Sequence, residues 1–428
     1  MRQMKNSKIE WIGKIPDSWK ICRLKYLAKK IERGTSPNYT DIPMTKVVNQ
    51  ATFSKGFFDK RNIRFSDIPA KRSKGLLYNS DILLASTGGG VLGKVHYFNE
   101  RDTYVADSHV TITRTIPEEY CSRMLYYIFY INYDYFNALM ARGSTNQIEL
   151  QTDLLKSMEI PVPPLSEQKV IAGFLDKKCG EVDALIADIQ QEIETLEQYK
   201  RSVITEAVTK GLDPSVPMKD SGIDWLGMQP IQWAHYKGKY IFEQRNERGN
   251  QIELQLLSPT QNYGVIPQTM YEELSGMNAV KLNERVNFNI LKTIHKGDYC
   301  ISLRSFQGGF EYSQYEGVVS PAYQVFYPTR AICEEYYKYL FKEKSFIAVM
   351  NSYTLSLRDG KNIAFSDFGN KMIPYPPIEE QQQIADYLDK KCKEIEEIIA
   401  DKQSQIETLE SYKKSLIYEY VTGKKEVG

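Results

Sequence analysis

The side chains best suited to chemistry lie in short polar runs bounded by glycine or proline. In the first third of the chain these runs supply Arg33, Thr35, Ser36, Asn38, Tyr39, Ser86, Thr87, Lys94, Arg142, Ser144, Thr145, Asn146 and Gln147. Further along the chain they supply Arg304, Ser305, Gln307, Arg358, Lys361 and Asn362. Arg and Lys pair with guanine, Asn and Gln pair with adenine, and Gly lets the backbone approach a phosphate. These residue types suit the reading of base edges in a DNA groove, although ordinary surface loops have a similar composition.

Motifs for catalysis on DNA are missing from the sequence. Residues 88–95 contain three consecutive glycines and a Gly-Lys pair but lack the order of a phosphate-binding loop. The Pro-Pro pairs at 163–164 and 376–377 lack the Asn/Asp and aromatic neighbours that hold a flipped adenine in amino-methyltransferases. We find no glycine-rich turn for S-adenosylmethionine and no acidic pair with Lys for metal-dependent cleavage. The sequence therefore predicts a non-catalytic chain.

The cysteines and histidines give no sign of a metal centre or a disulfide framework. Six cysteines are scattered without a C-x-x-C spacing, and four histidines accompany them. The sequence also has no apolar run of eighteen residues and no apolar segment near Met1 of the kind that a secretory signal needs. We expect no bound cofactor or metal, no membrane association and a cytoplasmic location.

Positive charge is concentrated in the first part of the chain. The 428 residues carry a net charge of +1, but residues 1–160 hold 24 Lys and Arg against 16 Asp and Glu. Residues 211–373 hold 17 of each kind. Because phosphate neutralisation supplies most sequence-independent affinity for duplex DNA, the first region could hold DNA alone whereas the second would need help. The charge distribution favours a DNA-binding protein with a protein partner.

The chain is an internal duplication. Residues 161–209 match residues 374–422 without gaps, and more than half of these positions are identical. The starts of the halves also match, since Ile9, Trp11, Gly13, Pro16, Trp19, Lys25 and Tyr26 recur as Ile223, Trp225, Gly227, Pro230, Trp233, Lys239 and Tyr240. The stretches between these shared ends differ. Such a repeat indicates one structural unit used twice, and the divergent middles favour one architecture with two specificities.

Heptad periodicity predicts that the repeated segments are long helices. Apolar residues recur in steps of three and four, with Lys200, Lys402 and Lys413 interrupting the pattern. The apolar seam is Val182, Ile186, Ile189, Ile193, Leu196 and Val203 in one copy and Ile395, Ile399, Ile406, Leu409 and Leu416 in the other. A helix of about 43 residues spans roughly 60 Å, too long for one small domain to cover. We expect an antiparallel coiled coil that acts as a ruler; the alternative is that each helix packs on its own domain.

The divergent stretches have the pattern of mixed heads. Residues 82–85, 110–113 and 322–326 form short runs bounded by Gly, Pro, Asn or Asp, which predicts strands. Residues 119–141 and 333–350 are rich in Tyr, Phe, Leu and Met, which predicts buried helices. The expected fold class is α+β, with two mixed α/β heads separated by two long antiparallel helices and related by a pseudo-two-fold duplication.

Four regions are expected along the chain. Residues 1–160 would form the first head and residues 161–211 the central long helix. Residues 212–373 would form the second head and residues 374–428 the C-terminal long helix.

Taken together, these features resemble one known family. Two variable heads, repeated helices entered by Pro-Pro-x-x-Glu-Gln, and the run Gly222-Ile223-Asp224-Trp225-Leu226-Gly227 are similar to the specificity subunits of type I restriction-modification systems. The resemblance covers the whole chain and reaches the last helix. It implies that each head is a target recognition domain for one half of a bipartite, asymmetric DNA sequence, and that the helices fix the spacer between the halves.

The resemblance also implies partners. Two modification subunits would dock on this chain, bring S-adenosylmethionine and methylate adenine. Restriction subunits would use ATP and Mg to translocate and cleave DNA. The competing hypothesis from the residues alone is a protein scaffold whose coiled coil spaces two protein-binding heads, and it predicts no affinity for DNA.

Overall fold

The computed structural model describes residues 2–42, 44–143, 148–249, 254–276, 288–301, 309–352 and 363–427. The chain divides into two compact units. The first unit is Met1–Gln190 with Gln403–Gly428, and the second is Gln191–Lys402. Each unit therefore contains one head with part of both long helices, and the boundaries between heads and helices given above stay predictions.

Two helices, α4 and α9, are far longer than the others. The α-helices of the described residues are α1 Ser122–Ile131, α2 Tyr133–Tyr135, α3 Thr152–Ser157, α4 Leu165–Lys210, α5 Gln268–Ser275, α6 Glu334–Leu340, α7 Lys344–Ser352, α8 Phe365–Gly369 and α9 Ile378–Val421. Together with the strands, they confirm the α+β class.

The strands of the first unit are short. They are β1 Met4–Asn6, β2 Lys14–Pro16, β3 Lys20–Arg23, β4 Ala28–Arg33, β5 Tyr39–Thr40, β6 Thr45–Val48, β7 Arg64–Ser66, β8 Ile82–Ala85, β9 Val95–Tyr97, β10 Tyr104–Ala106, β11 Val110–Thr115, β12 Ala141–Arg142, β13 Glu149–Leu150 and β14 Glu159–Val162. One antiparallel sheet has the order β4-β11-β8-β9, and a mixed sheet has the order β10-β6-β7-β5. The described residues of this unit also form the strand pairs β1-β2, β12-β13 and β14-β3.

Within the described residues, the second unit repeats the antiparallel sheet, and its other strands form pairs. Its strands are β15 Met218–Asp220, β16 Met228–Pro230, β17 Ala234–Lys237, β18 Phe242–Arg245, β19 Leu257–Thr260, β20 Gly264–Pro267, β21 Lys292–Ile294, β22 Tyr299–Ile301, β23 Phe310–Tyr312, β24 Gly317–Val319, β25 Gln324–Pro328 and β26 Met372–Tyr375. The order β18-β25-β22-β23 corresponds strand by strand to β4-β11-β8-β9. We call this common element the shared sheet. The pairs β19-β20 and β21-β24 are separate from the shared sheet.

A buried carboxylate holds the shared sheet together in both units. In the first, Asp81 is fully buried and accepts two hydrogen bonds of 2.6 Å from the Arg114 guanidinium. In the second, Asp298 accepts bonds of 2.6 and 2.9 Å from Arg245. The aspartates occupy the same turn before β8 and β22, but Arg114 lies on β11 and Arg245 on β18. The charge pair is retained while its arginine comes from a different strand.

In the first unit the two long helices run antiparallel. The rings of Phe174 on α4 and Tyr420 on α9 have centroids 4.5 Å apart. Nine residues further along α4, both carboxylate oxygens of Asp183 accept hydrogen bonds from Lys413 at 2.6 and 2.7 Å. Because the partner number falls as the α4 number rises, the chain directions oppose each other.

The second unit shows the same antiparallel arrangement of the two helices. Lys402 on α9 pairs with Glu192 on α4, and Lys200 on α4 pairs with Glu396 on α9. The lysines that interrupt the heptad pattern therefore each bind an acidic residue of the opposite helix. Each predicted seam residue is buried or half-buried.

The helix ends also enter the cores of the heads. In the first unit Ile171, Leu175 and Ile417 pack in the cluster that contains Trp19. In the second unit Val208, Ile384 and Leu388 join the cluster around Trp233, with Phe242 and Phe341 among its rings. Pairing of the helices and packing on a domain, which the sequence presented as alternatives, thus occur together.

The repeated Pro-Pro-x-x-Glu-Gln motif has a structural role. Gln168 and Gln381 are fully buried. The Oε1 of Gln168 accepts the Cys121 N–H at 2.7 Å, and its Nε2 donates to the Pro163 carbonyl at 2.9 Å. Gln381 makes the equivalent bonds to Cys333 and Pro376 at 2.9 and 2.8 Å. The motif's glutamine clamps each long helix to the first turn of a helix in its head.

The two segments predicted as buried helices are interrupted. Residues 119–141 form α1, α2 and a π-helical turn, Phe136–Met140, with a break at Asn132, whose buried amide donates to the Ile128 carbonyl at 2.8 Å. Residues 333–350 form α6 and α7, and Glu343 caps the second helix by accepting the Phe346 N–H at 2.7 Å. Polar side chains that bond to nearby backbone groups compete with a continuous helix, which explains both breaks.

Candidate nucleic-acid interface

The first head brings two of its predicted polar loops, 33–39 and 86–90, together at one place. Arg33 donates to the Glu149 carboxylate at 3.2 Å and to the Leu150 carbonyl at 3.0 Å. The Leu150 N–H donates to the Ser86 carbonyl at 2.8 Å, and Thr87 forms an isolated bridge with Glu149. Backbone bonds therefore tie the loop at 86–90 to the start of β13, and the Arg33 side chain ties the loop at 33–39 to the same strand.

A buried carboxylate organises the turn before β11. Asp107 is 2% exposed. Its Oδ1 accepts the His109 N–H at 2.9 Å, and its Oδ2 accepts the Tyr39 hydroxyl at 3.1 Å. Burial raises the pKa of Asp107, with the His109 bond acting in the opposite direction. One acidic group thereby fixes a backbone turn and an exposed aromatic side chain.

Tyr39 carries a cation on its ring. The Arg64 guanidinium lies 3.5 Å from the ring centroid, and both residues are exposed. Burial of its hydroxyl and the neighbouring Asp107 raise the pKa of Tyr39 to about 12, so the phenol keeps its proton. A planar guanidinium stacked on a ring is held in a defined plane, which suits pairing with a phosphate or a guanine edge.

A chain of side-chain hydrogen bonds crosses the same surface. The Thr87 hydroxyl donates to Gln50 Oε1 at 3.2 Å and lies 2.8 Å from His109 Nδ1. Ser36 donates to Ser108 at 3.0 Å next to this chain. We call residues 33–39, 86–90 and 107–109, together with Gln50 and Arg64, the polar loop cluster.

Two glycines allow the cluster to form. A Cβ on Gly34 would lie 2.1 Å from the Ala106 carbonyl oxygen, and a Cβ on Gly75 would lie 2.3 Å from the same atom. The Gly34 N–H donates to the Val110 carbonyl, and the Ala106 N–H donates to Gly75. The end of β10 therefore passes between two backbones that no larger residue could bring so close.

The predicted site residues of the first head are not equally available. The structure corrects one of them, because Ser86 is fully buried and bonds to the Thr111 hydroxyl and the Leu84 carbonyl, which removes it as a base reader. Asn38 and Arg142 are exposed. Lys94 lies 5.0 Å from the Tyr133 ring centroid and is also exposed. Thr35 is half-buried and shares a hydrogen bond with Ser73.

The remaining predicted residues fall outside the described part of the chain. They are Ser144, Thr145, Asn146 and Gln147 in the first head and Arg304, Ser305, Gln307, Arg358, Lys361 and Asn362 in the second.

In the second head, the turn before the corresponding strand β25 is supported in another way. The buried amine of Lys292 donates to the Tyr323 carbonyl at 2.7 Å, and burial lowers the pKa of this lysine. Ala322 stands where the first head has His109, as the strand registers show. The two heads thus place different functional groups at one position of a common frame.

Sequence reasoning missed five members of the cluster: Gln50, Arg64, Asp107, Ser108 and His109. Their relation to the predicted loops depends on contacts between residues far apart in the sequence. The run Asp107-Ser108-His109 before a β-branched strand is the one local signal, since an Asp side chain often accepts the N–H two residues on.

Over the described residues, no cluster of three or more His, Cys, Asp or Glu side chains is arranged to bind a metal. In the same part of the chain, no helix is long and apolar enough to cross a membrane.

The fold and the cluster define a class of protein: a duplicated α+β chain with paired long helices and exposed hydrogen-bonding loops on a head rich in basic residues. A family model of the type I restriction modification DNA specificity domain matches residues 16–195 and 232–408. The chain belongs to this family. It is a DNA-specificity subunit, a recognition chain and not an enzyme.

Curated relatives agree with this assignment. The MjaX type I restriction enzyme specificity subunit of Methanocaldococcus jannaschii is 25% identical over 98% of this chain and 96% of its own length. The StySPI type I restriction enzyme specificity subunit of Salmonella potsdam is 25% identical over 50% of this chain and 47% of the relative. A similarity that spans the first relative almost completely extends through both halves of the duplication.

A solved chain shares the fold. It comes from a study of complex assembly and conformational transition of the type I R-M system, and it superposes with a TM-score of 0.67 at 15% sequence identity. The match covers 96% of this chain and 99% of the solved one.

Proposed function

We propose that each head reads one half of a bipartite, asymmetric DNA site and that the paired long helices set the spacer between the halves. The observation that carries this proposal is the shared sheet, which both heads keep while they support their loops with different side chains. A common frame with different loops is what two different half-sites require, since base contacts carry the specificity. The protein scaffold with two protein-binding heads is not favoured by the family.

The partners belong to the same proposal. Two modification subunits would dock along the helices and heads, bring S-adenosylmethionine and methylate adenine, and restriction subunits would add ATP and Mg-dependent translocation and cleavage. The charge balance supports such help, because residues 211–373 carry as many acidic as basic side chains. A near-neutral head gains phosphate contacts from proteins assembled around the DNA.

The four-part division of the chain, with heads at 1–160 and 212–373 and helices at 161–211 and 374–428, is part of this proposal. It is supported by α4 and α9, each of which continues unbroken from one compact unit into the other.

Binding of the chain to duplex DNA tests the proposal. Alone, the chain should bind weakly, without sequence preference and with a strong dependence on salt, since basic residues of the first head dominate. With modification subunits added, one sequence should be bound far more tightly than the rest. Absence of any sequence preference in the assembled complex would refute the proposed function.

The ruler is tested by lengthening both helices at facing positions. Seven residues inserted after Glu194 and seven after Asp401, next to the Lys402–Glu192 pair, keep the heptad register. The insertion adds about 10 Å, or about three base pairs. Selection from duplexes with randomised spacers should recover a longer spacer, and an unchanged spacer would contradict the ruler. An insertion of equal length after the exposed Arg101 should leave the spacer as it was.

A further inference from the structure

The imidazole of His109 has a defined hydrogen-bonding edge. The Thr87 hydroxyl has one hydrogen, which it donates to Gln50 Oε1. With that hydrogen on Gln50, the Thr87 oxygen is free to accept the hydrogen of His109 Nδ1, 2.8 Å away. In a neutral imidazole one nitrogen donates and the other accepts. The chain from Gln50 to His109 thus leaves Nε2 as an acceptor.

The ring is also held in position. The backbone N–H of His109 donates to buried Asp107 at 2.9 Å, and the backbone carbonyl of His109 accepts the Ser86 N–H at 2.8 Å. The side chain itself is exposed, and within the described residues no partner bonds to its Nε2. An ordered acceptor that faces solvent, on a backbone fixed from both sides, has the preorganisation expected of a specificity contact.

We propose that His109 Nε2 accepts a hydrogen bond from the exocyclic amino group of one base in the half-site that the first head reads. This inference rests on the proposed function and assigns a residue to it. In the major groove adenine offers its N6 amino group and cytosine its N4 amino group. Guanine and thymine present acceptor oxygens in that groove, so an imidazole acceptor opposite either of them would stay unpaired.

Thr87 and Gln50 act as positioning residues. Among the described residues, Thr87 is the group that bonds to Nδ1, so without its hydroxyl Nε2 is free to carry the hydrogen instead. The imidazole would then donate and would favour guanine or thymine. Thr87→Val should therefore weaken the preference at the same base pair that His109 reads, and at no other.

Base analogues locate the contact. The complete chain, assembled with modification subunits, is titrated with duplexes in which one adenine at a time is replaced by purine, which lacks the 6-amino group. In a second series, one cytosine at a time is replaced by 2-pyrimidinone, which lacks the 4-amino group. In the wild-type complex, one replacement in the half-site of the first head should weaken binding roughly tenfold through the lost bond to His109. A sensitive position in the purine series would identify the contacted base as adenine, and one in the 2-pyrimidinone series would identify it as cytosine.

The variants identify the residue that makes the contact. His109→Phe should make binding insensitive to that one replacement, and Thr87→Val should reduce the sensitivity at that position. His295→Phe, the same change in the second head, should leave the half-site of the first head unaffected. If no analogue position couples to His109 and Thr87 while the wild-type complex still binds one sequence, the inference fails and the proposed function stands. If the wild-type complex has no sequence preference, the proposed function itself fails.

Discussion

The two heads keep the same shared sheet and differ in how its strands are locked. In the first head Asp81 binds Arg114 from β11, and that arginine lies 4.3 Å from the Tyr78 ring centroid. In the second, Asp298 binds Arg245 from β18, and Tyr327 stacks on it at 4.4 Å. Both sheets bury the carboxylate, but its cation comes from the adjacent strand β11 in the first head and from β18, one strand further away, in the second. The shared sheet needs an arginine beside its buried aspartate, but that arginine need not lie on the same strand in both heads.

The turns that carry the exposed loops differ more strongly. Buried Asp107 supports the turn before β11, whereas buried Lys292 supports the turn before β25. A carboxylate can hold N–H and hydroxyl donors, and an ammonium can hold carbonyl groups, so each support presents a different set of free groups. This difference explains how one architecture can serve two specificities.

The largest expected effect comes from removing the buried carboxylate in one head. Asp81→Ala leaves Arg114 and the Tyr78 N–H, which Asp81 accepts at 2.8 Å, without their buried partner. The loss should be about 4 kcal/mol of unfolding free energy, confined to the first unit. Hydrogen exchange resolved by peptide measures it. Asp298→Ala is the matched variant and should destabilise only the second unit; equal loosening of both units by either variant would contradict the separation of the heads.

A second test uses pH, because equivalent positions of β9 and β23 carry a half-buried histidine, His96, and a buried glutamate, Glu311. Burial lowers the pKa of His96 from 6.5 to about 4 and raises the pKa of Glu311 from 4.5 to about 7. The neutral form is favoured in both cases. The contribution of His96 to the free energy of unfolding is therefore lost as pH falls from 6.5 towards 4. The contribution of Glu311 is lost as pH rises from 4.5 towards 7. Each contribution is up to about 3 kcal/mol.

Variants isolate these two contributions. His96→Gln should flatten the acid-side loss in the first unit, and Glu311→Gln should flatten the loss above pH 4.5 in the second. Unfolding followed by unit-resolved hydrogen exchange between pH 4 and 8 gives both slopes. Slopes of the same sign in the two units, after subtraction of the variants, would show that the buried groups do not differ as described.

Removal of the motif's glutamine should lower the free energy of unfolding by a similar amount in either unit. Gln168→Leu leaves the Cys121 N–H and the Pro163 carbonyl without their side-chain partner, and Gln381→Leu does the same to Cys333 and Pro376. Two lost bonds to a buried amide correspond to about 2 kcal/mol. Denaturant unfolding of the single variants should give similar losses, whereas a loss in only one of them would mean that the repeated motif has different roles in the two copies.

The smallest effect is expected in the helix seam. Lys413→Leu removes the pair with Asp183 but fills a seam position with an apolar side chain. Because a partly exposed ion pair contributes little, the unfolding free energy should change by less than about 1 kcal/mol. Lys402→Leu is the comparison in the second unit. A loss above 2 kcal/mol in either variant, measured by denaturant unfolding, would show that the interhelical pairs matter more than the apolar seam.

Periodic patterns of apolar residues predicted the strands and helices whose formation depends on neighbouring residues in the sequence. The strand at 82–85 is β8, and the repeated segments predicted as long helices are α4 and α9. The repeat revealed the duplication because whole units were copied. The breaks at Asn132 and Glu343 were missed, since they depend on where one polar side chain finds a backbone partner.

The polar loop cluster was only partly predictable. Thr87 and Tyr39 are recognisable as polar loop residues, and the structure places them beside His109 and Asp107. These four residues come together because β8 and β11 lie in one sheet and β5 lies in another, and the sequence does not predict how those two sheets are placed. Ser86 has the same character in the sequence as Thr87, but strand geometry turns it inwards. Which of two adjacent hydroxyls reaches solvent is decided by the register of the sheet.

The central claim, that the heads read separate halves of one site, is tested most directly by a head exchange. Residues 20–160 are replaced with the corresponding head of another family member, and the methylated sequence is determined in a host that supplies the modification subunits. The account predicts a new sequence in one half of the site, with the other half and the spacer unchanged. A change in both halves, or in neither, would contradict it.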